Sequence, residues 1–192
     1  MNPARENILT RVRAALRVEA HRPPAPTTAP IFPPVTNPEG RFREEFIALK
    51  GELIDSAEKL HEFLKPFTKI ATDDSELVRK IVGEGNASAR DGDLGVTSCD
   101  CLIAQTGSVV VSALSAGGRA LSVLPPTHLV IAHRDQIVPD LASGMAFLRK
   151  RHDHHWPSAL SVITGPSRTA DIEKILVFGA HGPKRLAVYF AD

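Results

Sequence analysis

The string VITGPSRTADIEKILVFGAHGP, residues 162–183, sets Ser167, Arg168 and Thr169 directly after a Gly165-Pro166 break, with Asp171 and His181 further on. The break ends an apolar run at Val162 and Ile163. A helix starting at Ser167 or Thr169 would leave backbone N–H groups free beside those side chains. Free N–H groups, hydroxyls and a guanidinium together suit a small anion. The plainer reading is a cap, in which Ser167 or Thr169 accepts a hydrogen bond from the first turn of a connecting helix.

Three other strings carry chemistry. AQTGSVV, residues 104–110, brings Gln105, Thr106, Gly107 and Ser108 to a tight turn that reads either as a hairpin or as a polar ligand wall. LPPTHLV, residues 124–130, sets His128 near a strand start, where an imidazole is either a hydrogen-bonded structural residue or a proton-transfer group. RKRHDHHWP gathers His152, His154 and His155 on a charged helix end without a recognised ligand spacing, so a solvated cap is expected there and no metal.

The two cysteines, Cys99 and Cys101 in SCDCLIA, would share a face of a strand. A strained disulfide, a metal site and plain packing are all open, with small buried side chains the expectation. Two thiolates fall short of the roughly four ligands of an iron–sulfur cluster. No G-x-G-x-x-G and no G-x-x-x-x-G-K-[ST] string occurs, so no dinucleotide or phosphate loop of those types is present and no cofactor is expected.

The elements that must position these residues follow from periodicity. Ile8, Leu9, Val12, Ala15 and Leu16 predict an amphipathic helix over residues 4–19, within an N-terminal segment 1–20. Residues 21–40 hold seven of the fifteen prolines and read as a linker or strap. Phe42, Phe46, Leu49, Leu53, Ala57, Leu60 and Leu64 predict one long helix over residues 41–64, stopped by Pro66. A strand at Lys69–Ala71 and a helix capped by Asp73 or Asp74 and running to Val82 come next, then a loop over residues 83–95.

The apolar runs CLIA, SVVVSAL, HLVIAH, LSVI and LAVYF are mostly continuous, as for strands covered on both faces. SVVVSAL and RALSVL, flanking residues 115–118, read as a hairpin, and a helix is expected from about Pro139 to Arg151. The fold expected is therefore α/β, a single three-layer α/β/α domain over residues 41–192 with a mixed, mostly parallel sheet. Its ligand site is expected at the carboxyl ends of the parallel strands, with the loop at residue 165 following such an end.

Lysine and arginine number 23 against 22 acids, too even a balance to steer the chain to nucleic acid. No run of about 18 apolar residues occurs, so no membrane span is expected and the protein is expected in the cytoplasm.

GVTSCDCLIAQTGSVVVSA, LSVLPPTHLVIAHRDQIVPDL and ITGPSRTADIEKILVFGAHGPKRLAVYFAD together resemble the lactate utilization protein C family, whose members carry a LUD domain. The resemblance covers roughly residues 40–192. It implies a fold similar to the isomerase and CoA-transferase-like group. It also implies a role in a three-protein system that converts L-lactate to pyruvate, with two iron–sulfur redox proteins as partners; the chain is expected to be its accessory subunit, binding a small anion or nucleotide-like ligand through the Ser167 to Thr169 loop. The family pattern falls on Thr106 and Gly107, on Pro125, Pro126 and His128, on Gly165 to Thr169 with Asp171, and on His181, Gly182 and Pro183. Where relatives often carry a carboxylate this chain has Gln105, and an amide does not attack as a carboxylate does. The other reading is a stand-alone enzyme of that fold group using His128, Asp171 or His181 for acid–base chemistry.

Overall fold

A computed structural model describes residues 3–18, 23–24, 32–114, 119–153, 155–169 and 177–191. The chain divides into two compact units, residues 1–33 and 34–192. In the first, helix α1 (Pro3–Leu16) has no buried residue, and Ile8, Val12 and Leu16 on its apolar stripe are all exposed.

The second unit opens with α2 (Pro38–Ala48). Asn37 caps it by accepting from the Gly40 N–H at 3.0 Å, and proline occupies the first turn, where its missing N–H costs nothing. The long helix expected to residue 64 does not form. Lys50 takes a positive φ of 69° and Gly51 leads into strand β1 (Glu52–Ile54), after which Ser56 caps α3 (Ala57–Leu64). A Cβ at residue 51 would lie 2.4 Å from the Phe46 ring, so only glycine lets the chain turn back against its own helix. Leu49, Leu53 and Ala57 keep a helical spacing across this break, but Leu53 belongs to a strand.

Strand β2 (Ile70–Thr72) leads to α4 (Glu76–Ile81), whose cap is Ser75 rather than Asp73 or Asp74. Next come β3 (Leu94–Ser98), β4 (Cys101–Ile103), β5 (Ser108–Ser112), β6 (Thr127–Ala132) and β7 (Ile137–Val138). Helix α5 (Leu141–His152), capped by Asp140, precedes β8 (Leu160–Ile163), β9 (Arg168–Thr169), β10 (Val177–Phe178) and β11 (Arg185–Phe190). RALSVL forms turns and not the second strand of a hairpin; its intended turn, residues 115–118, lies outside the described residues.

The class is α/β with mostly parallel strands, as the sequence leads one to expect, but the strands divide between two main sheets. Five lie in the order β1-β11-β6-β3-β2 with every neighbour parallel. Four lie in the order β7-β4-β5-β8, with β4–β5 and β5–β8 antiparallel and β4–β7 parallel. The β9–β10 pair stands apart as an antiparallel ribbon.

Alternation along the strands assigns the faces. Leu129 and Ile131 of β6 and Ala187 of β11 pack with Leu60 of α3 and Val78 of α4. Val130, Ala132, Leu186, Val188 and Phe190 pack instead with Leu102, Val109 and Val111 of the second sheet and with Phe42 and Phe46 of α2. The outer face of the second sheet, through Cys101, Ile103 and Val110, is covered by Leu148 of α5. The two phenylalanines stack at 5.2 Å, and Phe42 meets Phe190 edge-on at 6.2 Å.

The N-terminal turn of α2 is fixed across to the rest of the unit. Glu39 pairs with Arg43 and with Arg134, and Arg43 reaches Asp55 at 2.6 Å, while Val35 packs against the core. We expect deletion of residues 1–33 to leave a cooperative thermal transition. Deletion through residue 40 removes the Asn37 cap, worth about 1 kcal/mol, together with the Glu39 pairs, and should lower the midpoint by roughly 3–6 °C. Differential scanning calorimetry of the two truncations checks this; loss of the transition in the shorter deletion would show that residues 1–33 stabilise the core.

Candidate functional site

Strings separated by up to eighty residues meet at one rim of the parallel sheet. The chain leaves β4 through a single 3-10 turn, Ala104–Thr106, and enters β5 after Gly107, whose φ is 58°. A Cβ on Gly107 would lie 2.5 Å from the Phe46 backbone nitrogen, so the turn sits directly on α2. Thr106 Oγ1 lies 2.7 Å from Ser108 Oγ, which lies 2.8 Å from Thr164 Oγ1 at the end of β8, making a chain of three hydroxyls. Gly165 follows, against the Leu49 carbonyl. The Ser167 N–H donates to the Pro183 carbonyl, the Gly179 N–H to the Ser167 carbonyl, and the Lys184 N–H to the Pro126 carbonyl, all at 2.8–2.9 Å.

Thus Thr106, Gly107, Gly165, Ser167 and the His181–Pro183 turn are brought together. Arg168 and His181 are exposed, and Ser167, Thr169 and Gln105 half-buried. Beside them a cleft of about 430 Å³ opens between Val123, Leu124 and Pro126 on one side and Gly179, His181 and Lys184 on the other.

Two expectations about this rim need correction. Pro126 and Lys184 precede β6 and β11, so the rim lies at the amino ends of the parallel strands and not at their carboxyl ends. The loop at residue 165 follows β8, a strand of the second sheet. No helix starts at Ser167 either: Arg168 and Thr169 are extended and pair with Phe178 and Val177. Ladder pairing takes the backbone groups that a helix start would have left open. Asp171 lies outside the described residues.

His128 does not line the rim. It is the second residue of β6, 0% exposed, with Nε2 2.9 Å from Thr97 Oγ1 and Nδ1 without a partner among the described residues. Burial pushes its imidazole down to about 4 from the usual 6.5. Cys99 and Cys101 do not share a face: Cys99 packs between the sheets and Cys101 under α5, because the chain crosses from one sheet to the other at Cys99–Asp100. Burial pushes the Cys99 thiol well above its usual range and that of Cys101 up to about 12.

The carboxyl ends of β2, β3, β6 and β11 surround a larger cleft, of about 730 Å³, and of its residues only Cys99 carried any site reading in the sequence. Its floor is a satisfied polar network. Asp73, 4% exposed, accepts at one oxygen from the Ser75 N–H and hydroxyl (3.0 and 2.6 Å) and at the other from those of Ser98 (2.7 and 2.8 Å). Gln136 donates to the Cys99 carbonyl at 2.7 Å and accepts from the His133 N–H at 2.7 Å.

Asp100, fully buried, lies 2.9 Å from His152 Nε2, and its carbonyl accepts from Arg151 at 3.5 Å. His152 is therefore a half-buried partner of Asp100 and not part of a solvated cap; His154 lies outside the described residues. The signal available in the sequence was Asp100 itself, a carboxylate inside the apolar run GVTSCDCLIA, which has to find a donor when buried. Among the described residues no three His, Cys, Asp or Glu side chains gather as a metal site.

Residues 44–191 match the family model of the LUD domain. The chain belongs to the LUD domain family. Similar proteins include lactate utilization protein C of Geobacillus sp. (strain WCH70), 37% identical over half of this chain and 41% of that one. Lactate utilization protein C of Bacillus subtilis (strain 168) is 36% identical over 55% of this chain and 45% of that one. This supports the resemblance read from the sequence, while the matched region spans less than half the length of those relatives. The LUD domain here also shares the fold of a DUF162 family protein from Deinococcus radiodurans. The TM-score is 0.60 at 18% identity, over 81% of this chain and 96% of that one. Among the described residues no helix is long and apolar enough to cross a membrane.

The buried His128 makes a pH prediction. Between pH 6.5 and 4 the unfolded chain takes up a proton that the folded ring refuses. Stability should therefore fall as pH falls through that window, by about 3 kcal/mol in all, with no contribution to the slope above it. Urea unfolding of the protein and of His128→Gln across the window checks this: the variant should lack that part of the slope, and parallel curves would refute the assignment.

Proposed function

We propose that this LUD domain protein is an accessory subunit of a system oxidising L-lactate to pyruvate. It holds a small carboxylate at the amino-end rim and docks two iron–sulfur redox proteins. The observation that carries the reading is the meeting of the AQTG, GPSRT and HGP strings at that one rim, where Arg168 and Lys184 supply positive charge beside the three linked hydroxyls. A guanidinium can donate two parallel hydrogen bonds to a carboxylate, and the hydroxyls can take its remaining lone pairs.

The similarity to proteins named lactate utilization protein C supports the choice of lactate and pyruvate as the carboxylates. Assigning electron transfer to partners is supported by the two thiols being buried in separate clusters and too few to ligate an iron–sulfur cluster. Proton transfer at His128 finds no support in a ring that is fully buried and titrates near 4.

Reconstitution tests the reading. The purified chain alone should give no L-lactate-dependent dye reduction, whereas the chain combined with the products of its neighbouring genes should. Arg168→Gln should raise the KM for lactate roughly 10- to 100-fold, the loss of a charged hydrogen-bonding partner, with complex assembly on a sizing column unchanged. Turnover by the chain alone, or an Arg168→Gln complex with unaltered KM, would overturn the reading.

A further inference from the structure

The carboxyl-end cleft takes no part in the function proposed above, yet among the described residues its walls carry charged side chains with no ion pair, and one, Arg151, that is only partly engaged. Lys80 on α4 faces the cleft on one side and Arg151 on α5 on the other. Glu76 and Lys80 stand four residues apart on α4, the order in which such a pair normally joins, but they make no ion pair among the described residues; nor does Asp135 after β6. Arg151 is held on one side only, its Nη1 donating to the Asp100 carbonyl at 3.5 Å and its Nε 3.8 Å from the Asp100 carboxylate. The remaining guanidinium donors are not taken up by that contact. Leu77, Ile81 and Phe147 complete the walls with apolar surface.

These groups define a ligand. Two cations on opposite sides suit a terminal phosphate. Two carboxylates suit vicinal hydroxyls, which donate to them, and they weigh against a ligand that is anionic throughout. Apolar side chains suit a flat ring. The opening, about 730 Å³, falls in the range of small-molecule and cofactor sites, and the ends of parallel strands are where open α/β sheets take their ligands.

We propose that the carboxyl-end cleft binds a nucleoside monophosphate. Its phosphate lies between Arg151 and Lys80, its ribose hydroxyls donate to Glu76 and Asp135, and its base rests on Phe147 and Ile81. The floor formed by Ser75, Ser98 and Gln136, with the buried Asp73 bonded to both serines, is already satisfied within the chain and holds the shape of the site. The buried Asp100 is a positioning residue, fixing the last turn of α5 so that Arg151 stays at the mouth.

Isothermal titration calorimetry of the full chain with AMP tests the proposal, with adenosine and inorganic phosphate as fragments. AMP should bind, and each fragment should bind at least tenfold more weakly, since each meets only part of the site. Lys80→Gln should weaken AMP at least tenfold; because Lys80 is exposed and makes no ion pair among the described residues, this variant carries the test even if Arg151→Gln proves unstable. Arg168→Gln should leave AMP binding unchanged, which separates this site from the lactate reading. NAD, titrated in parallel, lacks the terminal phosphate and should bind more weakly than AMP; tighter binding of NAD would overturn the assignment to a monophosphate. Absence of heat with AMP at millimolar concentration, retention of AMP binding in Lys80→Gln, or its loss in Arg168→Gln would overturn the proposal.

Discussion

One face of the parallel sheet is covered by helices and the other by a second sheet, and most of the remaining structure follows from how that seam is filled. Sheet-on-sheet packing demands that the inward residues of both sheets be apolar and that the gap between them be closed at its margin. Val130, Val188 and Leu186 meet Leu102, Val109 and Val111 in the seam, and Phe42 and Phe46 close it. Because the phenylalanines lie so deep, α2 must come down onto the Ala104–Gly107 turn, and the residue there must lack a side chain. The position of Thr106, and through it of Ser108 and Thr164, is thus set by an apolar requirement and not by a polar one.

That layering explains what could be read from the sequence. The strands CLIA, SVVVSAL, HLVIAH, LSVI and LAVYF, the helix after Pro139 and the turn at AQTG are local events, signalled by run length and glycine. The partition into two sheets is not local. Leu102 and Leu129 are both fully buried in apolar runs, and nothing in either run says which sheet it joins. The strand at Glu52–Ile54 was hidden because Leu49, Leu53 and Ala57 happen to keep a helical spacing across it; the break is made by Lys50 and Gly51, and it holds because β1 finds a parallel partner in β11.

The candidate sites divide the same way. Side chains that advertise themselves by type, Ser167, Thr106 and the HGP turn, do converge, since each lies in a connection and connections gather at sheet ends, and Arg168 follows Ser167 into the short β9–β10 ribbon. Polar residues that serve from within are less legible. His152 resembled a solvated histidine because its neighbours are Arg149, Lys150 and Arg151, and only the fold brings the buried Asp100 carboxylate to it. Asp73 read as a helix cap; it does support that cap through Ser75, but it also ties β3 to β2 through Ser98, a contact twenty-five residues away in the chain.

Strands β6 and β11 each run from one opening to the other, with Pro126 and Lys184 at one end and His133 and Ala191 at the opposite end. Six residues of strand put roughly 17–20 Å of rigid ladder between them. Molecules seated at the two poles therefore never touch and exchange no atoms. A bulky protein can cap one pole while the other continues to trade with solvent, so loading follows no obligatory order. Whatever coupling joins the poles has to pass along the ladder as a change in strand position rather than by contact between occupants.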